Sequence, residues 1–131
     1  MPRRIVVADD HEVVRQGLRL ILSERPEWQI VAEAKDGNEA LDAVRAAQPD
    51  LLILDISMPG KGGLQVLKEL VAEGIDVKIL VLTMHESKEL IEMVAPMGAA
   101  GYVTKSSAGT DLLRAIEHIF DGGKFFPSLN S

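Results

Sequence analysis

Short aliphatic runs alternate along the whole chain with longer stretches in which apolar residues recur at helical spacing. The runs occupy residues 5–8, 30–32, 51–54, 79–82 and 100–103. After the first run, Val14, Leu18 and Ile21 fall on one face of a helix. Strands that alternate with helices in this way predict βαβ units, which build a parallel sheet with helices on both faces.

The segments after the runs predict five helices. The first contains Leu18 and Leu22 and is stopped by Pro26, the second spans 37–47 and is closed by Pro49, and the fourth spans 87–94. The third carries Leu64, Val66, Leu67 and Leu70, and the last carries Leu112, Leu113, Ile116, Ile119 and Phe120. Right-handed crossovers with the first strand near the centre give an α/β fold of the flavodoxin-like (βα)5 type, with strand order 2-1-3-4-5. The 131 residues suit one such domain.

The composition excludes several classes of protein. There are 20 acidic and 14 scattered basic residues and no cysteine. The acidic balance argues against direct nucleic-acid binding. The lack of cysteine excludes disulfide scaffolds, zinc fingers and cysteine catalysis. No apolar run approaches the length of a membrane span, and the first run is too short for a signal peptide. We therefore expect a cytoplasmic protein without membrane contact.

Reactive side chains follow four of the predicted strands. Asp9 and Asp10 follow the first, Asp55 the third, Thr83 the fourth, and Lys105 closely follows the fifth. The carboxyl ends of parallel strands meet at one edge of the sheet, which is where ligands of such folds bind. Three carboxylates, a hydroxyl and an amine are therefore expected to converge there.

The chemistry of this set points to phosphoryl transfer. Clustered carboxylates repel one another unless a cation is present, and hard oxygen ligands suit Mg²⁺. Asp55 could act as a nucleophile toward phosphorus, while Lys105 and the Thr83 hydroxyl take the phosphoryl oxygens. The product would be an aspartyl phosphate. Its added charge, about −1.5 to −2, would draw Thr83 inward and repack the nearby surface.

The chain resembles the receiver domain of two-component response regulators from about Arg4 to Asp121. The matching motifs lie at 9–10, 54–60, 82–83 and 102–105. The segments 9–18, 82–86 and 98–102 are similar to the NarL/FixJ branch, whose members usually carry a C-terminal LuxR-type helix-turn-helix domain. The resemblance implies a receiver domain over residues 1–121. Residues 122–131 would then begin a linker to an output domain that this chain lacks.

The resemblance also implies the phosphoryl acceptor and a metal site. Asp55 would accept the phosphoryl group. Asp10, Asp55 and the backbone carbonyl of Ser57 would bind Mg²⁺ directly, and Asp9 would act through water.

Three further roles and the partners follow from the same resemblance. Lys105 would pair with the phosphate, and Thr83 and Tyr102 would form the switch. The phosphodonor would be a phosphohistidine on a sensor histidine kinase. The output would be homodimerisation or control of a DNA-binding domain. No enzyme is implied beyond Mg²⁺-dependent self-phosphorylation and autodephosphorylation.

Two positions depart from the common pattern of the family. Ser106 stands where proline is frequent, so a cis bond after Lys105 cannot be assumed. Met84 is bulky where a small residue often follows the switch hydroxyl. Our hypothesis is that both residues tune access to the site and the lifetime of the phosphoaspartate.

Simpler interpretations exist for several residues. Asp9 or Asp10 could cap the first helix. His11, His85 and His118 share no metal-ligand spacing, so zinc and triad roles are disfavoured. His11 could line the acidic pocket and His85 its mouth, with surface positions as the alternative.

Other functions compete with the switch. A pseudo-receiver that no longer takes phosphate is one alternative. An aspartate-nucleophile phosphatase is another, but it would carry a second aspartate two residues after Asp55, where Ser57 stands. Flavin binding is disfavoured because Asp9 and Asp10 would repel a phosphate.

Overall fold

The computed structural model describes residues 2–59, 61–84 and 86–127, in which strands and helices alternate. The strands are β1 (Arg3–Ala8), β2 (Trp28–Ala34), β3 (Leu51–Asp55), β4 (Lys78–Thr83) and β5 (Gly101–Thr104). The α-helices are α1 (Glu12–Leu22), α2 (Gly37–Ala47), α3 (Gly63–Ala72), α4 (Lys88–Met97) and α5 (Ala108–Phe120). A 3₁₀ turn, Lys105–Ser107, leads into α5. None of the described helices is long and apolar enough to cross a membrane.

The sheet is parallel with the order β2-β1-β3-β4-β5, as predicted. Alternate residues of its strands point to opposite faces, so each face has its own core. One core packs the sheet against α1 and α5, and the other against α2, α3 and α4. Every residue of β3 is buried because this strand lies in the middle of the sheet, between the two layers of helices.

Two of the helices end differently from the expectation. Helix α2 has the predicted bounds, and its C-cap is Gln48, whose φ of 48° is left-handed. Helix α1 ends at Leu22, short of Pro26, so Pro26 does not terminate it. Helix α4 runs past its predicted end to Met97, with Pro96 in its last turn, and stops at Gly98, whose φ is 112°.

The segment after α5 returns to the sheet. Phe125 forms a parallel bridge with Gly101 of β5. The Phe125 N–H donates to the Ala100 carbonyl at 3.0 Å, and the Tyr102 N–H donates to the Phe125 carbonyl at 2.9 Å. The approach is close, since a Cβ on Gly101 would lie 3.0 Å from the Phe125 oxygen. The predicted linker 122–131 thus starts with residues paired to β5, and residues 128–131 lie outside the described ranges.

Candidate functional site

The carboxyl edge of the sheet brings the predicted site residues together. Asp9 directly follows β1, Asp55 ends β3, Thr83 ends β4, and Lys105 directly follows β5. Asp55 pairs in register with Leu82, the neighbour of Thr83. Both Asp55 and Asp9 are fully buried, and Thr83 is nearly so. The edge therefore carries two negative charges that solvent does not reach.

Lys105 supplies the counter-charge for both buried carboxylates. Its Nζ lies 2.9 Å from Asp9 Oδ2 and 3.3 Å from Asp55 Oδ2. Burial lowers the pKa of Lys105, but its hydrogen bond to Asp9 and the charges of Asp55 and Asp9 outweigh this effect. The net result is a raised pKa, so the ammonium stays charged at neutral pH.

Ser57 orients Asp55 from the other side. The backbone N–H of Ser57 donates to Asp55 Oδ1 at 3.0 Å, and the Ser57 hydroxyl donates to the same oxygen at 3.1 Å. The sequence pointed to the Ser57 carbonyl and missed these two donors. Each oxygen of Asp55 therefore has its own partner, with Ser57 at Oδ1 and Lys105 at Oδ2.

His11 lines the acidic pocket. Its Nδ1 lies 3.3 Å from both Asp9 Oδ1 and Asp10 Oδ1, and its backbone N–H donates to Asp9 Oδ1 at 2.8 Å. The N-cap residue of α1 is His11 itself, without a side-chain cap bond. The interpretation of Asp9 or Asp10 as a helix cap is therefore wrong, since these carboxylates face the pocket.

The donor set fits a divalent cation. Ligand atoms of Asp9, Asp10, His11 and Asp55 all lie within 4.8 Å of one another. Asp9 Oδ2 contacts Lys105 Nζ, whereas the buried oxygen Asp10 Oδ1 accepts no hydrogen bond from the described part of the chain. Three carboxylates exceed the charge that Lys105 can balance, and buried oxygens of this kind require a donor or a cation. Carboxylate oxygens are the ligands that Mg²⁺ prefers.

Tyr102 connects β5 with the start of α4. Its ring is fully buried, and its hydroxyl accepts a hydrogen bond from the Ser87 N–H at 3.1 Å. Ser87 is the N-cap of α4, and its own hydroxyl accepts from Leu90 N at 3.2 Å. A movement of Tyr102 would therefore release a donor at the first turn of α4.

Arg15 of α1 also belongs to the site, and the sequence pattern did not identify it. Its residue exposure is 6%, and its Nη1 donates to the Asp9 carbonyl. The sequence does contain a signal for this burial. Arg15 shares a helical face with Leu18 and Leu22, the other buried residues of α1.

The two departures from the family pattern have defined surroundings. No peptide bond in the described ranges is cis, so the bond between Lys105 and Ser106 is trans. Met84 follows β4 with 55% exposure. The expectation for His85 falls outside the described residues, as does Gly60, the last residue of the 54–60 motif.

Comparisons with known proteins agree with this geometry. Residues 5–117 match the family model described as the response regulator receiver domain. The oxygen regulatory protein NreC of Staphylococcus epidermidis is 42% identical over 120 residues, which are 91% of this chain and 55% of that protein. The chain spans about half the length of the curated relatives it matches, from 52% to 57%.

Two solved structures superpose closely on the chain. A LuxR-family two-component response regulator from Aurantimonas sp. gives a TM-score of 0.89 at 37% identity, covering 95% of this chain and 89% of that one. A structure of two RcsB dimers bound to two parallel DNAs gives a TM-score of 0.89 at 29% identity, and the match covers 98% of this chain and 65% of that one. The chain therefore belongs to the response regulator receiver domain family, and its homologues are LuxR-family response regulators of the NarL, UvrY and DegU type.

Proposed function

We propose that this chain is a switch activated by Mg²⁺-dependent phosphorylation of Asp55 by a sensor histidine kinase. The observation that carries the proposal is the Lys105 ammonium, shared between the buried carboxylates of Asp9 and Asp55 at the carboxyl edge of the sheet. A buried aspartate beside a fixed cation is suited to receive and hold a group that carries more negative charge.

Transfer would form a bond between an Asp55 oxygen and phosphorus. The phosphorus–nitrogen bond of the phosphohistidine would break, and its electron pair would remain on the imidazole. Ser57 holds Asp55 Oδ1 during this step through its N–H and hydroxyl. Lys105 is placed to pair with the added phosphoryl oxygens because it already contacts Oδ2.

The acidic pocket would hold the metal ion. Asp10, Asp55 and the Ser57 carbonyl would bind Mg²⁺ directly, and Asp9 would act through water. Bound there, Mg²⁺ neutralises charge on the phosphoryl oxygens. The buried oxygen Asp10 Oδ1, which accepts no hydrogen bond from described residues, supports this assignment.

The output would be a change of surface around α4 and β5. A phosphoryl group adds about −1.5 to −2 charge, which would draw the Thr83 hydroxyl toward Asp55. Tyr102 would then change rotamer and give up its bond to the Ser87 N–H. Such rearrangements shift a protein between two packings with different surfaces.

We further propose that phosphorylation promotes homodimerisation and that DNA is contacted through a C-terminal domain outside this chain. Support comes from RcsB, whose dimers have been solved on DNA. The chain would act in the cytoplasm. The phosphatase alternative lacks the second carboxylate, because Ser57 stands two residues after Asp55. Turnover would thus be limited to self-phosphorylation and autodephosphorylation.

Intact mass after incubation with Mg²⁺ and acetyl phosphate tests the proposal. We expect one phosphoryl adduct in the wild type and in Asp42→Asn, which changes an exposed aspartate of α2. The adduct should be absent in Asp55→Asn and after chelation of the metal. An adduct that persists in Asp55→Asn would contradict the assignment of the acceptor. No adduct in a folded, Mg²⁺-binding wild type would favour the pseudo-receiver.

A further inference from the structure

Arg15 is a buried cation next to the acidic pocket. Within the described ranges the buried charged residues are Asp9, Asp55 and Arg15. A charge loses much of its hydration energy on burial, so it is retained where specific partners replace water. Two of these three residues are the carboxylates of the site, and the third contacts the backbone of one of them.

The guanidinium of Arg15 reaches three parts of the fold. Its Nη1 donates to the Asp9 carbonyl at 2.5 Å, and its Nε donates to Glu33 Oε1 of β2 at 3.1 Å. Its Nη2 forms an ion pair with Glu12 in the first turn of α1. Planar guanidinium groups hold such directed contacts in a fixed geometry.

The backbone N–H and carbonyl of Asp9 are both held by hydrogen bonds. The Asp9 N–H donates to the Ala34 carbonyl at 3.0 Å, and its carbonyl accepts from Arg15. Ala34 and Glu33 are the last two residues of β2, so the peptide groups around Asp9 are tied to one strand end. The short segment between β1 and α1 that carries Asp9 and Asp10 is thereby held in place against the mutual repulsion of its carboxylates.

We infer that Arg15 is a positioning residue that sets the affinity of the acidic pocket for Mg²⁺ by holding the backbone of Asp9. This inference rests on the proposed function, in which the pocket binds Mg²⁺. The Asp9 carbonyl belongs to the peptide bond with Asp10, the direct ligand, so holding this carbonyl orients Asp10 as well. Residues that orient metal ligands contribute to affinity because the ligands then need no rearrangement on binding. Arg15 acts through Asp9 and does not itself bind the ion.

Arg19 offers a matched control on the same helix. It pairs with the same two acids, through Nη1 to Glu33 at 2.5 Å and Nη2 to Glu12 at 3.3 Å. Between Arg19 and Asp9, both in the described part of the chain, the structure shows no hydrogen bond. A variant of Arg19 therefore perturbs the ion-pair network without releasing the Asp9 carbonyl.

The experiment is calorimetric titration of the phosphate-free chain with Mg²⁺ alone. We expect Arg15→Met to raise the dissociation constant roughly 10-fold, a typical loss for an orienting partner of a metal ligand. Arg15→Lys should restore part of this loss, because lysine keeps the charge but not the forked contacts. Arg19→Met should stay within about twofold of the wild type, since exposed ion pairs contribute little.

A second readout needs no metal. The ¹³C resonance of the Asp9 carbonyl should move in Arg15→Met and stay in place in Arg19→Met, because the loss of a hydrogen bond changes the polarisation of that carbonyl. A role of Arg15 limited to general stability would not produce this difference. If Arg15→Met does not fold, the same two measurements on Arg15→Lys test the inference.

Three results would overturn the inference. An unchanged Mg²⁺ affinity in a folded Arg15 variant would overturn it while the proposed function stands. Equal losses of Mg²⁺ affinity in the Arg15 and Arg19 variants would assign the effect to the whole ion-pair network with Glu12 and Glu33. A wild type that binds no Mg²⁺ would remove the metal step of the proposed function as well, and that result is recognised without any variant.

Discussion

Lys105 Nζ lies 3.3 Å from Asp55 Oδ2, although fifty positions separate the two residues. Asp55 ends β3, Lys105 follows β5, and β4 lies between these strands. The order of the sheet therefore creates the pair. Because Asp55 is fully buried, its charge is tolerated through Lys105 and Ser57 rather than through water.

Replacing Lys105 with methionine should destabilise the fold and strengthen the response to Mg²⁺. Asp9 and Asp55 would lose their shared cation, and breaking a buried ion pair costs about 3–5 kcal/mol. Mg²⁺ would then meet no competing ammonium, so it should raise the melting temperature of Lys105→Met more than that of the wild type. Thermal unfolding with and without Mg²⁺ measures both effects.

Lys61→Met is the control for that experiment. Lys61 Nζ pairs with Glu69 Oε2 at 2.8 Å in a partly exposed position, and such pairs contribute about 0–1 kcal/mol. The variant should keep the wild-type response to Mg²⁺. A Lys105→Met protein that is as stable as Lys61→Met would show that Lys105 is not the essential counter-charge.

Tyr102→Phe should loosen the start of α4. The variant keeps the buried ring but leaves the Ser87 N–H without the hydroxyl that accepts its hydrogen bond. We expect a loss of about 1 kcal/mol in the free energy of unfolding and faster hydrogen exchange at the Ser87 amide. Ser87→Ala, which keeps this N–H and removes the side-chain cap, should leave the Tyr102 contact protected. Unchanged exchange in Tyr102→Phe would refute the expected coupling.

Two glycine-to-alanine changes in helices should have opposite effects on stability. At Gly37, a Cβ would lie 1.9 Å from the Lys61 carbonyl oxygen, so Gly37→Ala should cost about 2 kcal/mol by displacing the loop after β3. At Gly17 in α1, a Cβ meets nothing within 4 Å, so Gly17→Ala should stabilise the fold by about 0.5–1 kcal/mol. Urea denaturation measures both changes in the free energy of unfolding, and changes of the same sign would contradict the prediction.

The ion pair between Arg45 of α2 and Glu73 after α3 should stabilise the fold above acidic pH. The hydrogen bond from Arg45 lowers the pKa of Glu73 below its usual 4.5. The stabilisation is therefore complete above pH 4.5 and is lost as pH falls through the folded pKa. The urea midpoints of wild type and Glu73→Gln should differ at pH 7 and converge once the pH has fallen below the lowered pKa of Glu73. The same difference in an Arg45→Met background would exclude this pair as its source.

Phe125→Ala should detach the tail from β5. The Phe125 ring packs against His118 at 6.4 Å and lies under Arg114 at 5.8 Å, and it is half-buried. We expect a loss of roughly 1–2 kcal/mol, below that of a fully buried phenylalanine, and faster exchange of the Tyr102 amide. Lys124→Ala, an exposed neighbour, is the control. Full protection of the Tyr102 amide in Phe125→Ala would show that the tail pairing does not depend on the ring.

Strand order and the edge that carries Asp9, Asp55, Thr83 and Lys105 were predictable from the sequence. The apolar pattern separates strands from helices, and right-handed crossovers leave few ways to connect them. Helix ends were less predictable. Pro26 indicated where a helix is disfavoured, but capping and packing decided where α1 and α4 end.

The amino-acid sequence by itself determined the family, the sheet and the set of reactive side chains, because periodicity and motif order are local properties of the chain. The tertiary structure alone decided which atoms meet. It directed Arg15 inward to the Asp9 carbonyl, turned the N–H and hydroxyl of Ser57 toward Asp55, and returned Phe125 to the edge of β5. Such contacts depend on rotamers and on the approach of distant segments, which a pattern averaged over one helix or strand does not encode.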